Sequence, residues 1–79
     1  MNAAQLNEVR SAEPFRPFRI RTADGSEYPV PHPEFMLLHP DNRTVIVVSP
    51  TNEGAFSVLD IRLITALVHE GDDQSEGAA

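Results

Sequence analysis

The chain has 79 residues, enough for one small domain. It has no cysteine, which excludes disulfides and thiolate metal sites. With 41% hydrophobic residues it can form a core, yet no apolar run approaches the roughly 20 residues of a membrane-spanning helix.

Residues 2–13 read as one short helix. Asn2 is a candidate N-cap, and Leu6 and Val9 form a narrow apolar stripe. Pro14 stops the helix, because the residue before a proline is pushed out of the helical region. Seven prolines disfavour long helices beyond that point.

Phe15 to Val30 reads as a β-hairpin. Phe18, Ile20 and Thr22 alternate with Arg19 and Arg21, the period of a half-buried strand. The turn is Ala23-Asp24-Gly25. A two-residue Asp-Gly loop would set Tyr28 opposite Arg21 and Val30 opposite Arg19, mixing charge with apolar groups. A three-residue loop with Gly25 left-handed pairs Ile20 with Tyr28, Phe18 with Val30 and Arg21 with Glu27. The second register makes one face consistently apolar and is the one expected. It turns the donor-free positions Pro29 and Pro31 away from the first strand, so this strand belongs at a sheet edge, a bulge or a passage between sheets.

A second hairpin joins Phe35–Leu38 to Thr44–Val48 through His39-Pro40-Asp41-Asn42-Arg43. Both flanks are nearly continuous in apolar residues, which predicts central strands buried on both faces. Phe56 and Val58 alternate with Ser57 as in a strand. Asp60 to Leu63 fits a tight helical turn, and Ile64–His69 is rich in β-branched residues and favours a strand. The rival for this last segment is a helix capped by Asp60, with Ile61, Ile64, Leu67 and Val68 on one face. Residues 1–70 thus form a single mainly β domain, and residues 71–79 an acidic tail expected to be disordered.

This order of elements resembles SH3-like or Sm-like small barrels: a short N-terminal helix, then five strongly bent antiparallel strands. Phe18–Thr22 with Asp24-Gly25 is similar to the opening strand and turn of Sm-like bacterial RNA chaperones, and Ser57–Val68 to their last two strands. The likeness is one of pattern and supplies no matching RNA-contact residues. The chain also resembles a group of small uncharacterised bacterial proteins. That likeness runs through Pro14-Phe15-Arg16-Pro17-Phe18-Arg19-Ile20, Ala23-Asp24-Gly25, Val30-Pro31-His32-Pro33-Glu34-Phe35, Arg43–Val47 and Leu59–Thr65. It implies no activity.

Twelve acids against six bases give a net charge of -6. Residues 70–79 carry four acids and no base, so residues 1–69, with eight acids and six bases, hold only -2. All six bases are arginine, and Arg10, Arg16, Arg19 and Arg21 lie close together in sequence. The ordinary reading is solvated or ion-paired arginines; the sharper one is an anion or nucleic-acid contact, which the net charge disfavours. His32, Glu34 and His39 are too few, and out of parity, for a zinc site. No nucleophile elbow, phosphate loop or held pair of carboxylates is present in the sequence, so neither enzyme chemistry nor a metal or cofactor is expected. Phe15 either staples the helix to the sheet or anchors a partner.

The sequence therefore predicts a non-enzymatic binding or adaptor module that meets a protein partner or a second copy of itself. Its candidate contacts are Phe15, Arg16, Arg19, Arg21 and Arg43. The alternative is Sm-like RNA binding through those arginines. The start of the chain, Met1 to Gln5, lacks the basic flank and apolar stretch of a secretory signal, so a cytoplasmic location is expected.

Overall fold

The computed structural model describes residues 1–69; Glu70 and the acidic tail expected at 71–79 lie outside the described residues. One helix, α1 (Ala3–Arg10), precedes six strands: β1 (Phe18–Thr22), β2 (Glu27–Val30), β3 (Met36–Leu38), β4 (Thr44–Val48), β5 (Phe56–Asp60) and β6 (Ile64–His69). They form two three-stranded antiparallel sheets, ordered β2-β1-β6 and β3-β4-β5. The five strongly bent strands expected, as one antiparallel sheet or as a small barrel, are corrected to six strands in two sheets with no closed barrel. The cause lies in the prolines. Between β2 and β3, Pro31 and Pro33 cannot donate to a ladder, and a 3-10 turn at Pro33–Phe35 interrupts the strand.

The helix is shorter than the 2–13 span the sequence suggests. Asn2 caps it as expected: its Oδ1 accepts from the Gln5 N–H at 2.8 Å, and the Gln5 side chain accepts from the Asn2 N–H at 3.0 Å. Its last bond runs from the Ser11 N–H to the Asn7 carbonyl. Pro14, lacking a donor and excluding Glu13 from helical geometry, prevents a further turn. Leu6 is fully buried, and Ala3 and Val9 pack beside it.

The first hairpin adopts the three-residue loop. Phe18 pairs with Val30, Ile20 with Tyr28 and Arg21 with Glu27, and Gly25 has φ of 87°. The Thr22 N–H donates to the Ser26 carbonyl, and the Gly25 N–H to Thr22. Counting by twos from that pair puts Pro29 and Pro31 where a donor would face away from β1, and β2 is indeed an edge. Residues 64–69 are strand, paired along β1. Asp60 caps only the short 3-10 turn Ile61–Leu63 that leads into it.

The core lies between the inner faces of the sheets. Phe18, Ile20 and Val30 on one side meet Met36, Val45 and Val47 on the other, with Leu6, Ile61 and Ile64 closing the ends. This arrangement corrects the expectation that the second hairpin is buried on both faces. β3 is an edge, and inward residues alternate with exposed Leu37 and Val48. The described residues supply two sheet layers and one eight-residue helix, with no third layer among them to cover those side chains.

Two substitutions separate core from turn. Ile20→Ala, at a site with no exposure, should cost about 2–5 kcal/mol in urea unfolding. Gly25→Ala should cost about 1 kcal/mol through its backbone conformation alone, since an added Cβ meets nothing within 4 Å. Equal losses at the two sites would contradict this assignment.

Candidate interaction surface

The outer face of the β3-β4-β5 sheet is built by strand parity. Leu37 pairs with Ile46 and Ile46 with Val58, so the three side chains form one row across the sheet. Val48 and Phe56 form the next row. Phe56 is 64% exposed, Val58 61%, Leu37 54% and Val48 40%; Ile46 is half-buried among them. Leu63, 55% exposed, lies off this face, in a groove between β5 and the β1–β2 turn that Val58 and Leu59 also line. A solvated outer face would ordinarily alternate polar residues with the inner ones. Here charge appears only at the end of the sheet, where Asp60 binds Arg62 at 2.7 Å and Arg43 at 3.8 Å.

Reading the second hairpin as buried on both faces put Leu37, Ile46 and Val48 in the core and so missed the surface. The available signal was the run Phe35–Leu38 and Thr44–Val48 itself. Continuous apolar strands need cover on both faces, and the described residues do not supply it.

The candidate contact residues are dispersed. Phe15 is half-buried, with its ring 5.9 Å from that of Phe18, and it packs against the core. Arg19 and Arg21 share the outer face of the other sheet and are brought together by Glu27, which lies 3.5 Å from Arg19 Nε and 2.8 Å from Arg21 Nη2. Arg16 is exposed ahead of β1 and is engaged in the structure. Arg43 stands on the β3–β4 turn of the other sheet, beside Asp60. Arg10 donates from Nε to the Met36 carbonyl at 3.2 Å, tying α1 to β3.

The carboxylates near the grooves are already engaged. A groove of about 220 Å³ runs between the β1–β2 turn and β5, with Asp24 and Asp60 at its rim and Tyr28, Val58, Leu59 and Leu63 along it. Asp24 accepts from Thr22 Oγ1 at 2.6 Å and from the Ser26 N–H at 3.0 Å, which lower its pKa. Hydrogen bonds from the Arg62 side chain and backbone hold Asp60 well below the usual carboxylate range. Both are ionised at neutral pH, Asp24 held by hydrogen bonds and Asp60 by Arg62, and neither is poised to give or take a proton there. Among the described residues no three His, Asp or Glu side chains are grouped to hold a metal ion. His32 instead lies against Phe35, and His39 beside Asp41. No helix among the described residues is long and apolar enough to cross a membrane. No family model, curated protein or solved structure matches the chain.

Asp41 organises the turn at the charged end of this face. It accepts from the Arg43 and Thr44 N–H groups at 2.8 and 2.9 Å and from Thr44 Oγ1 at 2.8 Å, and these bonds lower its pKa from 3.8 to about 2. A carboxylate depressed on folding stabilises the native state above its unfolded pKa. That contribution disappears as pH falls through the folded value. Urea unfolding should therefore show stability falling between about pH 4 and pH 2, and Asp41→Asn should fall less steeply over that window. A variant as steep as the parent would remove Asp41 from the acid response.

Proposed function

We propose that the chain is a non-enzymatic binding module whose outer β3-β4-β5 face receives a protein partner. The observation that carries this reading is the pair of uninterrupted apolar rows, Leu37–Ile46–Val58 and Val48–Phe56, exposed on a folded domain. Exposing this surface is costly in water and covering it is favourable, at about 25 cal/mol per Å² of apolar area. Contiguous apolar patches of this kind mark interaction surfaces. The engaged carboxylates and shallow grooves support a binding role over catalysis. The likeness to SH3-like and Sm-like domains belongs to the same proposal, supported by two packed antiparallel sheets and a 3-10 turn before the last strand.

Arginine-mediated RNA binding draws less support. Arg19 and Arg21 share Glu27, and Arg43 and Arg62 share Asp60, so each pair of arginines has half its charge offset, and the two pairs stand on different sheets.

A photo-crosslinking residue in place of Phe56 should give one defined protein adduct, whereas the same residue in place of Glu8 on α1 should not. The double variant Phe56→Asp, Val58→Asp should abolish the adduct when the crosslinker is carried at Leu37. Its melting temperature should stay within a few degrees of the parent, because both side chains project into solvent. Adducts spread evenly over both positions, or untouched by the double variant, would refute a binding role for this face.

A further inference from the structure

We infer that the occupant of the outer β3-β4-β5 face is a second copy of this chain, a conclusion that rests on the binding-module reading above. The first argument is area. The fractional exposures of Phe56, Val58, Leu37 and Val48 correspond to roughly 350–400 Å² of mostly apolar surface. A standard interface buries about 800 Å² per partner, and homodimer interfaces are about 65% apolar, or roughly 500 Å². The patch therefore supplies most of the apolar area that one side of a small homodimer requires.

The second argument is composition. Interfaces made with unrelated partners are on average no more apolar than the rest of a protein surface. This face has no charge within its two rows and no tyrosine, tryptophan or arginine among them. An aliphatic surface with one phenylalanine is complementary to itself without needing matched charges.

The third argument is symmetry. A two-fold axis parallel to the strands, lying in the interface, sets Ile46 on its own counterpart. The same axis places Val58 over Leu37 of the second copy, so both apolar rows stay stacked while Arg43, Asp60 and Arg62 remain at the rim. The chain's own remaining segment is a poor rival occupant. Residues 70–79 contain four acids and no apolar side chain larger than alanine.

Sedimentation velocity on the full chain, from about 10 µM to about 1 mM, tests the inference. The parent should shift from monomer to dimer within that range, and added salt should strengthen the dimer by screening the -6 charge on each copy. Val58→Asp should weaken dimerisation by about 100-fold or more while thermal unfolding shows it folded. Arg21→Ala, on the other sheet, should dimerise like the parent. A dimer indifferent to Val58→Asp, or a monomer throughout, overturns the second copy as occupant. If the monomer still gives a single crosslinked adduct with another protein through position 56, the binding-module reading survives alone. If it gives none, both fall.

Discussion

The packing of Phe18, Ile20 and Val30 against Met36, Val45 and Val47 holds the domain together. It is a single seam between two small sheets, closed at its ends by Leu6, Ile61 and Ile64. Every other feature follows from how few residues are available to make it. The helix is spent on the end of the seam next to β3, where Leu6 is buried and Arg10 reaches the Met36 carbonyl. Nothing among the described residues is left to cover the far side of the β3-β4-β5 sheet. The apolar outer face is thus a geometric result of a two-layer fold whose second hairpin is apolar on both sides.

Charge and conformation reinforce the same division. On the β2-β1-β6 sheet the outward positions carry Arg19, Arg21 and Glu27, an ordinary solvated face with internal ion pairing. On the other sheet, polar groups retreat to the ends. Asp41 secures one turn through backbone donors, and Asp60 secures the entry to β6 through Arg62. The two outer faces differ in kind, and only one is suited to leaving water.

Much of the fold was legible in the residues. The register of the first hairpin followed from asking which loop length keeps charge off the inner face, and the Asn2 cap, the edge position of β2 and the final strand followed from local chemistry. Less legible were quantities that depend on tertiary context. Whether the two hairpins join in one sheet or barrel or stand in two sheets depends on where the backbone can find partners, and alternation alone does not decide it. The candidate surface was hidden for a related reason. Leu37, Val48, Phe56 and Val58 look the same in sequence whether another layer of the same chain covers them or not. The arginines were conspicuous by clustering in sequence, yet the fold keeps only Arg19 and Arg21 together, on Glu27, and sends Arg10 to the Met36 carbonyl and Arg43 to Asp60.

The two blunted edges give the apolar face its proper setting. The donors missing at Pro29 and Pro31 disable one margin of the first sheet. At the margin of β3, the Met36 carbonyl is taken by Arg10, and its N–H by the Pro33 carbonyl. Neither sheet, consequently, can be lengthened from both sides at once. The margins left open to an added strand are β6 in the first sheet and β5 in the second.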